Sequence, residues 1–484
     1  MKRKTKFVAT VLALMLSVGA LSACGSSNNN NAGPSNSPSP TSSAGSDGGE
    51  AAKDTITALL PPVSPKYQEN FKKMEEDFNK LYPNLTLKIE PASWEDMTQK
   101  LDTQVNAGSP PDLAFIGSDG ISKYAQMGML MDIKDLVTPE MVADFDEAPL
   151  QYMKNGDGLY GMPAYMEVHA IGGNKQMLEQ AGIDWKKVQE QGWTYEEFRE
   201  AIKAGVVTEN GKTRYGFVFA TAGVASKDYL SILVKNAGMP SPFTQDHKYA
   251  YTSKNYLEVL KAIRQMIDDG SMPKELSSVD AGKRWNMFLT GQTMITGKGL
   301  AVFENSANQN NKKIEANDGS AVADSIAVDY IVLPVPSFAG QEAVSHAVVD
   351  GYVAFRGKKE PTDEHKANVV KAAYFLASGQ VAATTNADLF AAHITESARE
   401  IAKTMESTRN PDNVMAVEKM LEHAAPARPD IPVELGAKAI KVENEVVIPK
   451  LQALLAGEIS PEDMYEAVKK AAIDTFGADG VVQE

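Results

Sequence analysis

The chain has 484 residues, of which 43% are hydrophobic and 23% charged, a composition typical of ordinary globular proteins rather than fibres or membrane bundles. Its length exceeds the usual size of a single domain, so we expect two or three domains. Acidic residues outnumber basic ones by 63 to 48, and the net charge of −15 disfavours nucleic-acid partners because a negative surface repels phosphate backbones.

The N-terminus has the pattern of an export signal. Four basic residues within the first six precede an apolar run, Phe7 to Ala20, which is too short to serve as a mature transmembrane helix. The sequence Leu21-Ser22-Ala23-Cys24 that follows resembles the bacterial lipoprotein signal, which implies cleavage before Cys24 and lipid attachment to its sulfur. We therefore expect residues 1–23 to be a lipoprotein signal peptide and a lipid anchor to hold the chain on the outer face of the cell membrane.

Residues 24–53 consist almost entirely of Ser, Asn, Gly, Pro, Ala and Thr. Such a segment has too little apolar surface to offset the entropy of ordering it, which predicts a flexible tether. Its typical reach is on the order of 30 Å. Cys24 is the only cysteine of the chain, so an intramolecular disulfide is impossible.

The folded part begins with a predicted βαβ unit. Thr55 to Leu60 and Thr86 to Glu90 are strand-like, and Ser64-Pro65 has the N-cap and first-turn proline that begin a helix. That helix carries apolar residues at spacings of three and four, which favours one buried face. A further helix begins at Ser93, and Leu113 to Ile116 forms the next buried strand.

The rest of the chain is predicted to alternate between helices and strands and then to become mainly helical. Strand-like runs occupy Gln292 to Thr296, Ala327 to Leu333 and Val348 to Phe355. Predicted helices are those near Asn174, Thr194, Lys227 to Asn236, Lys254 to Asp268, Ala281 to Thr290, Glu364 to Ser378, Asn413 to His423 and Gly436 to Ala456, and one beginning at Ser460.

Asp119 lies directly after the predicted strand that ends at Ile116. In an open parallel sheet, ligands bind beyond the carboxyl ends of the strands, so a carboxylate at this point is suited to contact a small molecule. The alternative is that Asp119 only caps the helix beginning near Gly120. Motifs of other chemistry are missing: there is no Gly-x-Ser-x-Gly elbow, and the six histidines show no paired metal-ligand spacing.

Several motifs together resemble a known family. They are PPDLAFIGSDGISKYAQMGML at 110–130, Tyr160-Gly161-Met162-Pro163 followed by Glu167, Gly172-Gly173-Asn174-Lys175, and Leu333-Pro334-Val335-Pro336. From about Asp54 to Phe476 the chain resembles the extracellular solute-binding proteins of ABC importers, specifically the family that includes maltodextrin- and other sugar-binding proteins.

The resemblance implies an α/β fold of the type II periplasmic-binding-protein kind, with two lobes that close on a ligand about a hinge. By analogy, residues 54–165 plus 297–390 form the first lobe, and residues 166–296 plus 391–484 form the second. The implied protein is a monomer without cofactor or metal. It captures a mono- or oligosaccharide and presents it to ABC permease subunits.

The same resemblance suggests ligand-binding residues. Asp119 and Glu167 match positions that contact sugar in the maltodextrin binders, although Glu167 could equally be a solvated hinge carboxylate. Tyr165 could stack on a sugar or pack in the core. Lys298 lies at the second lobe crossing, and Arg428 lies in a late loop that often borders the cleft.

The tryptophans of this sequence depart from the maltodextrin pattern. Ile116 and, by a less certain alignment, Leu300 stand where maltodextrin binders carry sugar-stacking tryptophans, which argues against maltodextrin as the ligand. Trp94 and Trp285 could stack on a sugar from other directions, or pack in the core as helix tryptophans usually do.

The interpretation of the sequence is thus a lipid-anchored carbohydrate-binding subunit of an ABC importer, not an enzyme. Two alternatives remain. An exported glycoside hydrolase would use Asp119 and Glu167 as its acid pair, since two carboxylates flanking a bond can suffice. A lipoprotein that docks to a sensor or adhesion partner would bind a ligand without importing it.

Overall fold

The computed structural model describes residues 53–63, 66–222, 225–274 and 279–483. The predicted signal peptide, the lipidation site Cys24, almost all of the predicted tether, and the predicted helix start at Ser64-Pro65 lie outside the described residues. Within the described ranges, no helix combines the length and the apolar content needed to cross a bilayer.

Most strands of the described chain join one mixed sheet. The strands are β1 (Asp54–Leu60), β2 (Leu85–Pro91), β3 (Leu113–Gly117), β4 (Lys154–Asn155), β5 (Gly158–Leu159), β6 (Gly161–Asn174), β7 (Val207–Glu209), β8 (Lys212–Phe219), β9 (Thr293–Gly299), β10 (Tyr330–Leu333) and β11 (His346–Ala354). The strand order of the sheet is β2-β1-β3-β11-β6-β9-β8-β7, with β10 paired to β6 on the side, and β4 and β5 form a separate hairpin.

Helices cover the sheet and make up most of the C-terminal third. They are α1 (Tyr67–Leu81), α2 (Trp94–Ala107), α3 (Ile121–Gln126), α4 (Pro139–Asp144), α5 (Glu147–Tyr152), α6 (Lys175–Gln180), α7 (Trp185–Gln191), α8 (Tyr195–Ala204), α9 (Ala225–Lys235), α10 (Lys254–Asp268), α11 (Ala281–Leu289), α12 (Ala301–Ala316), α13 (Asp363–Ala377), α14 (Gly379–Leu389), α15 (Glu396–Ala402), α16 (Pro411–Glu422), α17 (Val433–Val442), α18 (Ile448–Ala456) and α19 (Pro461–Phe476).

The predicted βαβ start and the predicted cap at Ser93 are confirmed, whereas α1 begins at Tyr67 without a side-chain cap on Lys66. Strands β1 and β2 pair in parallel around α1, whose buried residues Phe71, Met74 and Phe78 lie on the predicted face. The hydroxyl of Ser93 accepts a hydrogen bond from the Asp96 amide at 3.0 Å and so caps α2. Local side-chain acceptors thus satisfy amides that the first helical turn leaves unpaired.

Strand β6 links the two halves of the sheet. Residues 161–169 pair antiparallel with β11, and residues 170–174 pair with β9 and β10. The sequence did not predict this 14-residue strand. The strand was missed because a strand covered on both faces is almost continuously apolar and lacks the strict alternation that identifies a half-exposed strand.

Two large hydrophobic cores lie on either side of this link. The first core draws residues from 56–165 and 349–394, and the second from 171–295, 331–335 and 442–481. The predicted division assigned 297–390 to the first lobe, whereas Ile331 and Leu333 pack in the second core because β10 hydrogen-bonds to β6 residues 171–174. The lobe boundaries stay a prediction, with β10 better assigned to the second lobe.

A partly buried ion network connects the start of β1 to α13 and to the residue that precedes β3. His365 of α13 lies 2.9 Å from a carboxylate oxygen of Asp54, where β1 begins, and 3.0 Å from Asp112, just before β3. The Asp112 carboxylate also accepts hydrogen bonds from the backbone and hydroxyl of Thr57. Burial alone would lower the pKa of His365, but its bonds to Asp112 and Asp54 raise that pKa above the usual value.

This network makes part of the stability depend on pH. Because the folded pKa of His365 is raised, its contribution is complete below the unfolded pKa of about 6.5 and is lost as pH rises through the folded pKa. We expect His365→Gln to lower the free energy of unfolding by about 1 kcal/mol near pH 5.5, and by less near pH 8.5. Urea unfolding at both pH values measures the difference. The exposed control His423→Gln should change little at either pH, and a His365 effect equal at both would contradict the assignment.

Candidate functional site

A cleft of about 880 Å³ opens between the first and second cores. This volume lies within the usual range for small-molecule sites. Both cores contribute to its walls, so a molecule held there would contact both. Its polar and aromatic lining includes Tyr67, Trp94, Asp119, Ser122, Tyr165, Glu167, His169, Lys227, Asp228, Ser231, Lys235, Phe243, Tyr249, Tyr251, Lys298, Phe303, Ser306, His346, Asp350, Arg428 and Glu443.

Strands β6 and β11 form the floor of the cleft. Alternate residues of β6, namely Tyr165, Glu167 and His169, line it because successive side chains of a strand point to opposite faces. Across the ladder, Tyr165 pairs with Asp350 and His169 pairs with His346. The two strands that join the cores therefore also supply a continuous row of polar side chains.

Two carboxyl groups of the floor are held in place by protein donors. Glu167 accepts a hydrogen bond from the amide of Ala301 at 2.9 Å, and Asp350 accepts one from the hydroxyl of Tyr165 at 2.6 Å. Removal from water raises the pKa of Glu167 to about 7 and that of Asp350 to about 6. Neither carboxylate has a cationic side chain within ion-pair distance among the described residues. Both are available to accept hydrogen bonds from a ligand.

Asp119 lies in a short turn, Ser118–Gly120, directly after β3, as the sequence predicts. Its carboxylate is exposed and lies 3.3 Å from the ammonium of Lys227 on α9. Lys227 also lies 2.9 Å from Glu443, in a π-helical turn between α17 and α18. Burial alone would lower the pKa of Lys227, but Asp119 and Glu443 raise it. Since Asp119 borders the first core and α9 packs in the second, this ion pair crosses the cleft.

Lys298 reaches the cleft from the end of β9. Its ammonium lies 3.1 Å from Asp228, the neighbour of Lys227 on α9. The buried guanidinium of Arg284 fixes the backbone at this point by donating to the carbonyls of Gly297 and Lys298 at 3.0 and 2.6 Å. The side chain of Lys298 is therefore oriented from a rigid backbone.

The structure separates the remaining predicted residues. Trp94 lines the cleft, remains 49% exposed and lies at 75° to the ring of Phe115, with the ring centroids 6.1 Å apart. Arg428 also lines the cleft, but Asp430 and the carbonyls of Phe243 and Thr244 engage its guanidinium.

Trp285 is not among the residues that line the cleft. Its ring stacks on Phe303 at 4.8 Å and on Phe288 at 5.4 Å, beneath the wall that Phe303 forms. Leu300 lines the cleft and Ile116 does not. Of the predicted residues, the structure therefore brings Asp119, Tyr165, Glu167, Lys298, Arg428 and Trp94 to one cavity.

Sequence reasoning missed several charged residues of the cleft. Lys227, Asp228 and Glu443 lie on helical segments, where charges usually face solvent, so nothing in the local pattern distinguishes them. Asp350 could have been found, because it is an acid inside an apolar strand, and so could His169, which with Glu167 interrupts an otherwise apolar run. Among the described residues, no group of three or more His, Cys, Asp or Glu side chains could hold a metal ion.

The family profile described as bacterial extracellular solute-binding protein matches residues 61–382. This match covers most of the chain, and the chain belongs to that family. The predicted family is thereby confirmed, and the protein is an exported solute-binding protein by class. The family is one of binding proteins and not of enzymes.

Known relatives and structures agree with this class. The maltodextrin-binding protein MdxE of Bacillus subtilis is 24% identical over 367 residues, 74% of each chain. A Listeria monocytogenes ABC substrate-binding protein in complex with cycloalternan superposes with a TM-score of 0.67 at 18% identity, covering 88% of this chain and 99% of that one. A Thermotoga lettingae ABC solute-binding protein bound to α-D-tagatose gives a TM-score of 0.67 at 20% identity, covering 87% and 100%. These likenesses confirm the predicted two-lobed α/β fold.

The two tryptophans of contrasting environment give a matched pair of variants. We expect Trp285→Ala to lower the free energy of unfolding by about 3 kcal/mol, because it removes a stacked aromatic side chain. Trp94→Ala should cost less than about 1 kcal/mol, because that ring is half exposed. Chemical denaturation measures both. Equal losses would mean that the two rings are not in the different environments described.

Proposed function

We propose that this protein captures a carbohydrate between its two lobes and delivers it to an ABC importer. The observation that carries the proposal is a cleft whose walls combine a half-exposed aromatic ring, Trp94, with the hydrogen-bond acceptors Asp119, Glu167 and Asp350. Sugars have apolar ring faces that pack on aromatic side chains and hydroxyls that donate to carboxylates in charge-assisted bonds. Binding to both lobes at once would favour their closure.

The names of relatives support a sugar ligand. Besides the maltodextrin, cycloalternan and tagatose proteins, an arabinooligosaccharide-binding protein of Halalkalibacterium halodurans is 26% identical over 196 residues, 39% of this chain and 41% of that one. The ligands of these proteins differ from one another in sugar unit and in ring or chain form. Their common feature is the carbohydrate class, and that class alone is carried over to this chain.

Capture follows from the charges of the cleft. Without ligand, Lys227 holds Asp119 across the opening, and sugar hydroxyls would compete for the same carboxylate. Among the described residues no cationic side chain lies within ion-pair distance of Glu167 or Asp350, so these two would accept hydroxyls at the lower cost of displacing water. Asp119, Glu167, Tyr165 and Trp94 are thus the proposed contact residues.

The remaining parts of the proposal concern attachment and partners. Lipid on Cys24 would retain the protein at the outer face of the membrane, and two or more acyl chains make such retention stable. The closed form of a monomer would be presented to permease subunits, without catalysis and without a cofactor. The support is the signal sequence and the class of the family.

The test is a thermal-shift screen of purified protein against a broad glycan panel, with peptides as controls. A sugar supplied at 100 times its dissociation constant should stabilise the fold by about 2.7 kcal/mol, because it binds the folded state only. The sugar recovered after incubation should be chemically unchanged, whereas its hydrolysis would favour the glycosidase alternative. A response confined to peptides would overturn the carbohydrate proposal.

Asp119→Ala should weaken binding of a sugar from that panel by at least about 1.5 kcal/mol, the usual lower cost of losing hydrogen bonds to a charged group. Isothermal titration calorimetry measures this loss. The fold should persist because the carboxylate is exposed and lies in a turn. The control Asp474→Ala removes an exposed carboxylate of α19 and should leave the affinity unchanged. Full affinity in Asp119→Ala would remove this residue from the site.

A further inference from the structure

One end of the cleft floor is formed by a pair of histidines. His169 of β6 and His346 of β11 lie directly opposite each other, with ring centroids 5.1 Å apart at an interplanar angle of 78°. Both line the cleft, and His169 is only 7% exposed. Nδ1 of each ring is buried without a hydrogen-bond partner among the described residues. Burial lowers the pKa of both rings, so they are neutral near pH 7.

Helix α9 brings further donors to the cleft. Lys227, Ser231 and Lys235 recur at intervals of four residues and therefore share one face of the helix, and all three line the cleft. Lys227 engages Asp119 and Glu443, as described above. Asn236, the residue after Lys235, donates to the carbonyl of Val344 at 2.9 Å and accepts from its amide at 3.1 Å, so this end of α9 lies beside the chain that leads into His346.

Lys235 differs from the two other lysines that line the cleft. Lys227 and Lys298 each have a carboxylate partner, whereas within the described chain Lys235 has none within 4.0 Å and donates to the carbonyl of Pro240 at 2.6 Å. Burial without a counter-ion lowers the pKa of Lys235 to about 8. The carboxylate of Asp228 partly offsets the lowering of the His346 pKa by burial, and this carboxylate is already paired with Lys298.

We propose that this end of the cleft is a subsite for an anionic substituent of the captured sugar. Lys235 is partly buried and has no carboxylate partner within the described chain, and a bound carboxylate, sulfate or phosphate would supply the missing negative group. The hydroxyl of Ser231 and the two imidazoles would add hydrogen bonds to the same anion. The ligand class is therefore an acidic sugar. This inference rests on the proposed carbohydrate function and narrows it.

The affinities of neutral and acidic disaccharides show which anionic substituent the subsite prefers. Calorimetry would compare glucose- and galactose-based disaccharides with their uronate, sulfate and phosphate counterparts of the same linkage. We expect at least one acidic counterpart to bind about tenfold or more tightly than its neutral disaccharide, the usual effect of a charged hydrogen-bonded group. Which counterpart binds best identifies the substituent.

Variants then test whether Lys235 carries the preference. Lys235→Met keeps an unbranched side chain one atom shorter and removes the charge, so the acidic disaccharide should lose about tenfold in affinity while the neutral one changes by less than about twofold. Lys235→Arg should retain most of the preference, because the charge is kept. The matched control Lys187→Met removes an exposed lysine of α7 and should alter neither affinity. Unchanged melting temperatures establish that the variants are folded.

The outcomes separate the inference from the function on which it rests. Neutral disaccharides that bind as tightly as all their acidic counterparts would overturn the anionic subsite and leave sugar capture standing. A preference for acidic sugars that survives in Lys235→Met would also overturn the assignment. Failure of every sugar, neutral or acidic, to bind the unmodified protein would contradict the proposed function itself.

Discussion

The structure depends on the hydrogen bonding of one strand to two sets of partners. The first nine residues of β6 pair with β11, and its last five pair with β9 and β10. Each half thereby belongs to a different core. Because a strand's backbone groups must be satisfied along its whole length, β6 cannot leave either core without losing a ladder of bonds. Strand β6 therefore holds the two cores together, and the cleft opens above this strand.

The two strands that join the cores also supply polar side chains of the cleft, so in the proposed function a ligand would act directly on the elements that link the lobes. Tyr165, Glu167 and His169 project from β6 into the cleft, and Asp350 and His346 project from β11. A ligand that draws these side chains together acts on the backbone that joins the cores. Strand β6 must also be long, because a shorter strand would end before it had paired with the partners in both cores.

Much of this arrangement could be predicted from sequence, and the remainder could not, for definite reasons. The position of Asp119 follows from local order alone: a buried strand, a glycine and a loop acid follow one another within the seven residues from Leu113 to Asp119. Its ion pair with Lys227 joins residues 108 positions apart, and neither side chain has a local pattern that indicates the other. Trp94 and Trp285 both begin or occupy amphipathic helices, so only packing distinguishes the half-exposed ring from the stacked one. Strand β6 was missed because burial on both faces removes the alternation on which strand prediction depends.

The charges of the cleft differ in what a ligand must do to reach them. Asp119 and Asp228 are each paired with a lysine. A sugar that binds to them must weaken an existing ion pair, which reduces the binding free energy it gains. Glu167, Asp350 and Lys235 have no opposite charge within ion-pair distance among the described residues, and their shifted pKa values reflect the cost of holding them there. A charged group that has no partner in the free protein contributes the most binding free energy when a complementary group of the ligand pairs with it. Selectivity should therefore reside in these three side chains, while the paired charges set how readily the lobes separate.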